Sequence, residues 1–167
     1  YDDFEKPKII YPDIAKESRM TFVETPLYLG NTSYFLPTND KYLVSILNSK
    51  LVWFFYSKIS AVLGDAEKGG RLRFFTQDVI KIPIKQITPK EQKPFIKLVD
   101  KILEQKKIGK DTSELENKID AMVYRLYELT DDEIKIVEGI HFRHDLGRDH
   151  QLEVKQPGMP RRINGIA

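Results

Sequence analysis

The stretch from Tyr42 to Ile84 carries the strongest structural signals of the chain, and it reads YLVSILNSKLVWFFYSKISAVLGDAEKGGRLRFFTQDVIKIPI. Its first half is apolar at helical spacing, its middle is rich in glycine and charge, and its end resembles a strand that stops near Pro83. The apolar stripe is wide, so it predicts a helix over residues 40–62 that is buried on more than one side. The stripe consists of Leu43, Val44, Ile46, Leu47, Leu51, Trp53, Phe54 and Phe55.

Short β-prone runs surround this helix. Lys8–Tyr11 and Met20–Val23 are bounded by prolines, and two further runs lie within Leu27–Leu36. The Gly30-Asn31 pair between the last two runs predicts a hairpin. After the glycines, the sequence predicts closing strands over 72–75 and 79–84. We therefore expect a small, curled, mixed or antiparallel sheet packed on the buried helix.

The C-terminal part of the chain carries helix signals. Capping boxes begin at Thr88, Ser113 and Thr130, each with a glutamate three residues later, and apolar residues follow at helical spacing. This pattern predicts an antiparallel helical hairpin with a short third helix. The fold class is therefore α+β, with three predicted parts: an α/β domain over 1–87, the helical hairpin over 88–139 and a C-terminal tail over 140–167.

Composition excludes several classes of protein. The chain has 167 residues, no cysteine and a net charge of +2, so disulfide scaffolds, thiolate metal sites and cysteine nucleophiles are absent. No apolar run approaches the ~20 residues of a membrane span, and no signal peptide opens the chain. A soluble, cytoplasmic protein without membrane contact is expected. Because Tyr1 already lies in structured-looking sequence, we interpret the chain as a fragment of a larger protein.

The sequence contains no recognisable catalytic centre. His141, His144 and His150 all lie near the C-terminus, and the first two lack the spacing of a named zinc motif. The segment with glycines at 64, 69 and 70 is not followed by the lysine and the serine or threonine that complete a phosphate-binding loop. We therefore predict no catalytic residue, no metal site and no cofactor bound by this fragment.

The charged glycine loop is a better candidate for binding. Arg71 and Arg73 alternate with Leu72, so in a strand both point to one face, where two guanidiniums can contact guanine edges or phosphates. The alternative is a surface pair neutralised by Asp65 or Glu67. Loop residues that could bind bases or phosphates complete the candidate set: Lys16, Arg19, Asn31, Thr32, Ser33 and Lys68.

Five segments in order resemble the TaqI-like C-terminal specificity domain of adenine-N6 DNA methyltransferases and of type IIG restriction–modification enzymes. They are KPKIIYPDI (Lys6–Ile14), GNTSYFL (Gly30–Leu36), KYLVSILNSKLVWFFY (Lys41–Tyr56), RLRFFTQDVIKIPI (Arg71–Ile84) and the helical segment Ile119–Val137.

The resemblance implies a target-recognition domain for double-stranded DNA. Such a domain follows a methyltransferase domain that uses S-adenosylmethionine and extrudes adenine from the duplex. The catalytic Asn-Pro-Pro-Tyr motif and a cofactor-binding glycine motif are absent from this chain. The resemblance therefore implies that methyl transfer and S-adenosylmethionine belong to an N-terminal domain of the parent protein. This fragment is then non-catalytic, and whether the parent also cleaves DNA stays open.

Two other functions compete with DNA recognition. A protein-interaction module could use the helical hairpin for dimerisation or docking, which requires an exposed apolar seam and no basic face around Arg71 and Arg73. A metal-dependent nuclease could combine carboxylates with His141 or His144, which requires those side chains to converge in a cleft.

Overall fold

The computed structural model describes residues 2–64 and 70–139, and within them it confirms the predicted α+β class. Two small antiparallel sheets lie in the first half of the chain, and most of the second half is helical. In chain order the elements are α1 (Asp2–Glu5), β1 (Lys8–Pro12), β2 (Ile14–Ala15), β3 (Thr21–Val23), β4 (Ser33–Leu36), α2 (Lys41–Leu47), α3 (Lys50–Ile59), β5 (Val62–Leu63), β6 (Arg71–Arg73), α4 (Thr76–Val79), α5 (Pro89–Lys107), α6 (Ser113–Leu126) and α7 (Asp131–Glu138).

The two sheets are connected at Asp13, the residue between β1 and β2. In the first sheet β1 lies between β3 and β4, and Ile9 pairs with Phe22 on one side and Leu36 on the other. In the second sheet β6 lies between β2 and β5, and its central residue Leu72 is fully buried. Because β1 and β2 are separated by one residue, Asp13 is the corner where the chain passes from one sheet to the other.

The prediction of one continuous helix over 40–62 is wrong. The chain forms two helices there, with a break at Asn48 and Ser49. The Ser49 hydroxyl accepts a hydrogen bond from the Val52 amide at 3.3 Å, which begins α3. The Asn48 side chain pairs with both backbone groups of Met20, at 2.8 and 2.7 Å. These polar side chains satisfy the backbone at the break, so the apolar stripe continues across it without a continuous helix.

The predicted hairpin at Gly30-Asn31 is also wrong. Leu27–Leu29 forms no strand, and β4 pairs with β1 instead. The segment is attached to α1, since the Leu27 amide donates to the Phe4 carbonyl at 3.2 Å. The Tyr28 ring also stacks on Phe4, with ring centroids 5.3 Å apart.

The strand predicted over 79–84 is replaced by α4 and a following turn. The amides of Asp78 and Val79 both donate to the Phe75 carbonyl, at 2.9 and 3.0 Å, which closes a helical turn. Val79 and Ile82 are buried, and their spacing of three residues fits a turn better than the two-residue alternation of a strand.

The predicted helical hairpin is confirmed as a structural element. Helices α5 and α6 pack against each other, α5 also packs on α2, and α6 on α3. One hydrophobic core spans both halves of the described chain, and the rings of Tyr42 on α2 and Phe95 on α5 meet within it, with centroids 5.4 Å apart. None of the helices in the described ranges is long and apolar enough to cross a membrane. The division of the chain at residue 87 stays a prediction, and the tail over 140–167 lies outside the described residues.

Candidate nucleic-acid interface

The outer face of the second sheet carries the cationic side chains. Arg71 and Arg73 flank the buried Leu72 and point away from the core, as the alternation predicts. Lys16 is exposed and directly follows Ala15, the residue of β2 that pairs with Leu72. The two arginines therefore lie on one face of β6, and an exposed lysine follows the neighbouring strand.

Arg73 is held in place on this surface. Its Nε donates to Oδ1 of Asp13 at 3.2 Å, and its guanidinium lies over the Phe75 ring, 4.8 Å from the centroid. Its side chain remains 40% exposed, so this ion pair is partly open to solvent. The partner predicted from sequence for this pair was Asp65 or Glu67; those residues lie outside the described ranges, and Asp13 is the carboxylate that Arg73 contacts.

Arg71 differs from Arg73 in its exposure and in its contacts. It is exposed, and it makes no side-chain hydrogen bond or ion pair with any residue in 2–64 or 70–139. No residue of the described ranges uses any of its five donors, which can contact an incoming anion. The two arginines that look equivalent in sequence therefore differ in structure.

Asp13 connects the segments that were predicted as separate loops. Its amide donates to the Thr32 carbonyl at 2.9 Å, and its own carbonyl accepts from the Phe74 amide at 2.7 Å. The turn containing Thr32 is thereby fixed next to the end of β6 and next to Arg73. Sequence reasoning missed Asp13, and the only local signal is its position in a turn after Pro12.

Five further residues were predicted to bind DNA, and only some of them lie near the Asp13 corner. Asn31 and Thr32 are exposed in the turn before β4, and Ser33 is half-buried opposite Pro12 in the first sheet. Arg19 is exposed, and its Nε donates to the nearby Glu17 carboxylate at 2.6 Å, so no described contact joins it to the cationic face. Lys68 lies outside the described residues.

Helix α3 supports the sheet from behind. The Tyr56 ring stacks on Phe74 with centroids 4.5 Å apart and an interplanar angle of 6°. The hydroxyls of Tyr56 and Ser60 both donate to the Arg73 carbonyl, at 3.1 and 2.8 Å. Burial raises the pKa of Tyr56 to about 12, so this phenol stays a neutral donor at physiological pH.

An aromatic groove adjoins the turn at Asn31. It has a volume of about 270 Å³, and its rim includes Tyr34, whose ring lies 5.6 Å from that of Tyr11. Burial raises the pKa of the Tyr11 phenol. The groove is lined by Phe4, Tyr11, Leu29, Gly30, Ser33, Tyr34, Phe35, Leu36 and Thr76.

Within the described part of the chain, no group of three or more His, Cys, Asp or Glu side chains converges as a metal site. The predicted nuclease alternative depends on His141 or His144, and both lie outside that part.

Residues 2–84 match the family model of the TaqI-like C-terminal specificity domain. The resemblance predicted from sequence is therefore confirmed over these residues, which contain both sheets and the helices α1 to α4. The match supports a role in DNA target recognition, and it places the cationic face, the Asp13 corner and the turn before β4 inside the specificity domain. Helices α5 to α7 lie beyond the matched range.

Proposed function

We propose that this chain recognises a specific sequence in double-stranded DNA as the target-recognition part of an adenine-N6 methyltransferase in a restriction–modification system. The observation that carries the proposal is the outer face of the second sheet, where Arg71 and Arg73 lie on either side of the buried Leu72 within the matched range, with the exposed Lys16 following β2. Cationic side chains on a rigid sheet can bind phosphates, while a fixed guanidinium can contact base edges.

The arrangement suits sequence recognition because the polar loops are fixed by the fold. Asp13 attaches the turn at Thr32 to the end of β6, and α3 supports the Arg73 backbone from behind. A loop that is already ordered loses little conformational entropy when it binds, so more of the contact energy is available for discrimination between sequences.

The chemistry of methylation belongs, in this proposal, to a separate methyltransferase domain of the parent protein. That domain would bind S-adenosylmethionine and extrude the target adenine, while this chain positions the duplex. A protein that acts on cellular DNA in this way would function in the cytoplasm. Two domains that hold the duplex from different sides also explain how a chain with a net charge of only +2 can recognise DNA.

The rival function, a protein-interaction module built on the helical hairpin, is supported less well. It requires an exposed apolar seam, whereas Phe95 and Val99 of α5 and Ile119 and Val123 of α6 are all buried in the common core. The isolated exposed residues Ile108 and Ile136 do not form such a seam.

A selection experiment tests the proposal. The chain is incubated with a randomised duplex library at ~50 mM salt, where phosphate contacts are strongest. We expect enrichment of a short motif by the unaltered chain, and loss of that motif in the Arg71→Ala/Arg73→Ala double variant. The control is Arg125→Ala combined with Lys97→Ala, which removes the same charge from exposed positions on α6 and α5. Absence of any motif, or equal weakening by the control, would contradict the proposal.

A further inference from the structure

The two arginines of β6 are in different physical states, and this difference suggests different tasks. Arg71 is exposed and unpaired among the described residues, whereas Arg73 is bound at Nε by Asp13 and covered on one face by Phe75. A mobile cationic side chain can adjust to bind a backbone phosphate, and the positions of the phosphates vary little with the DNA sequence. A guanidinium with a fixed plane suits an acceptor pair of fixed geometry.

The way in which Arg73 is held leaves a defined set of donors free. Asp13 occupies Nε, and the guanidinium makes no other hydrogen bond to the described residues, so both terminal nitrogens remain available. Two parallel N–H groups in one plane match the O6 and N7 acceptors of guanine in the major groove. The ring of Phe75 restricts rotation of that plane, because the guanidinium lies 4.8 Å from its centroid.

We propose that Arg73 contacts a guanine edge, that Asp13 is the positioning residue for this contact, and that Arg71 with Lys16 binds phosphates of the same duplex. The inference rests on the proposed function and assigns separate tasks within the cationic face. Asp13 touches no DNA in this scheme and acts through Arg73.

A role of the Asp13 carboxylate in stability alone accounts for these contacts less well than a role in positioning Arg73. The two hydrogen bonds by which Asp13 joins the sheets come from its backbone amide and carbonyl, and neither needs the side chain. The ion pair itself is partly exposed, with 40% of the Arg73 and 18% of the Asp13 side chain accessible, and such pairs contribute little to stability. A carboxylate on a DNA-binding face also repels phosphates, so its removal should strengthen binding to arbitrary DNA.

These tasks predict different binding signatures for single variants. Both Asp13→Ala and Arg73→Ala should reduce discrimination at one guanine position by about 5- to 150-fold, the range expected for one bidentate contact. Asp13→Ala should keep or increase affinity for non-target duplex. Arg71→Ala should weaken target and non-target duplexes alike, and it should reduce the slope of log K against log salt by about 0.9, the value for one phosphate contact.

The test measures dissociation constants of the chain and its variants for the duplex selected from the library and for duplexes altered at each guanine, over a series of salt concentrations. The double variant Asp13→Ala/Arg73→Ala should discriminate no worse than Arg73→Ala alone, because both changes remove one contact. Asp13→Asn serves as a second variant that preserves side-chain volume. Circular dichroism melts establish that each variant is folded, and Arg125→Ala is the control arginine.

A measurement without DNA checks the positioning directly. The Nε–H resonance of Arg73 should exchange with solvent more slowly than that of Arg71, and this protection should disappear in Asp13→Ala. Equal exchange of the two arginines in the unaltered chain would overturn the positioning role.

The outcomes separate this inference from the proposed function. If the unaltered chain selects no motif, the proposed function fails and the inference fails with it. If it selects a motif and Asp13→Ala discriminates as well as the unaltered chain, the function stands and the positioning role is overturned. If Arg73→Ala weakens all duplexes equally and lowers the salt slope as Arg71→Ala does, the guanine contact is overturned.

Discussion

Replacement of Asp120 tests how the helical hairpin is attached to the specificity domain. Asp120 lies on α6 with 6% of its surface exposed, and its Oδ1 accepts a hydrogen bond from the backbone amide of Lys50 at 2.8 Å. Lys50 is the first residue of α3, so this amide is one of the donors that a helix leaves without an internal partner. Asp120→Ala removes the acceptor and leaves the amide without it.

The expected cost follows from these contacts. A hydrogen bond to a charged group contributes roughly 1.5–3 kcal/mol. The Lys50 ammonium lies 3.6 Å from Oδ2 but is half exposed, so the ion pair adds little. We therefore expect Asp120→Ala to lower the free energy of unfolding by about 2 kcal/mol, and the melting temperature by about 4–8 °C for a chain of this size. Asp120→Asn keeps an oxygen acceptor and should cost less.

The pH dependence of this site has a definite sign. Burial raises the pKa of Asp120 above its ordinary value of 3.8, and the nearby Glu138 carboxylate acts in the same direction, while the contacts to Lys50 oppose both. The folded state then holds the proton more tightly than the unfolded state. The stabilisation due to protonated Asp120 is therefore complete below pH 3.8 and is lost as the pH rises through the folded-state pKa.

Urea unfolding followed by circular dichroism measures both effects. The stability of the unaltered chain relative to Asp120→Asn should decrease as the pH rises from below 3.8 toward neutrality, because only the aspartate becomes charged. The control is Asp132→Ala, which removes an exposed carboxylate from the first turn of α7 and should cost less than about 0.5 kcal/mol. The reasoning would be refuted if Asp120→Ala cost no more than this control, or if the difference from Asp120→Asn increased with pH.

Further predictions concern the helix ends and the buried phenols. Gly109 and Glu128 occupy equivalent positions after α5 and α6, with φ of 68° and 60°, and only glycine adopts this conformation without strain. Thermal melts should show Gly109→Ala destabilised by about 1–2 kcal/mol and Glu128→Gly stabilised by up to about 1 kcal/mol; shifts of the same sign would contradict this. Burial raises the pKa of Tyr42 and of Tyr56 to about 12, so their contribution to stability should be lost as the pH rises from 10 through 12. Ultraviolet absorbance during alkaline titration should show phenols, Tyr42 and Tyr56 among them, that ionise well above pH 10, with one fewer in Tyr42→Phe.

The helical part of the fold could be predicted because its signals are local. The capping boxes at Thr88 and Thr130 are both formed, with hydrogen bonds between residues three apart in the chain. The box predicted at Ser113 is wrong, because Thr112 is the N-cap residue of α6 and its side chain accepts no hydrogen bond from the helix backbone. The break at Ser49 was missed although a serine is a common helix start, because the apolar periodicity continues through it. The partner that stabilises the break, the Met20 backbone, lies 28 residues away from Asn48 and leaves no local trace.

At the candidate site, too, local patterns could be predicted from the sequence, whereas contacts between distant residues could not. The shared face of Arg71 and Arg73 could be predicted from alternation alone, since the two-residue period of a strand is a property of the backbone. The carboxylate that holds Arg73 could not, because Asp13 is separated from it by 60 residues and reaches it only through the pairing of β2 with β6. The nearer acids that the sequence suggested, Asp65 and Glu67, lie outside the described residues, so their pairing stays a prediction.

The contacts around Arg73 argue that the helical hairpin belongs to the recognition unit rather than serving only as a spacer. The Arg73 carbonyl accepts hydrogen bonds from Tyr56 and from Ser60, the residue that follows α3, while the Arg73 side chain donates to Asp13. Helix α3 is in turn fixed at its first residue by Asp120 of α6. A continuous series of hydrogen bonds and packed side chains therefore runs from the hairpin to the proposed base-contacting guanidinium. Since discrimination between bases depends on donor geometry, the precision of the proposed contact would depend on helices that lie outside the matched family range.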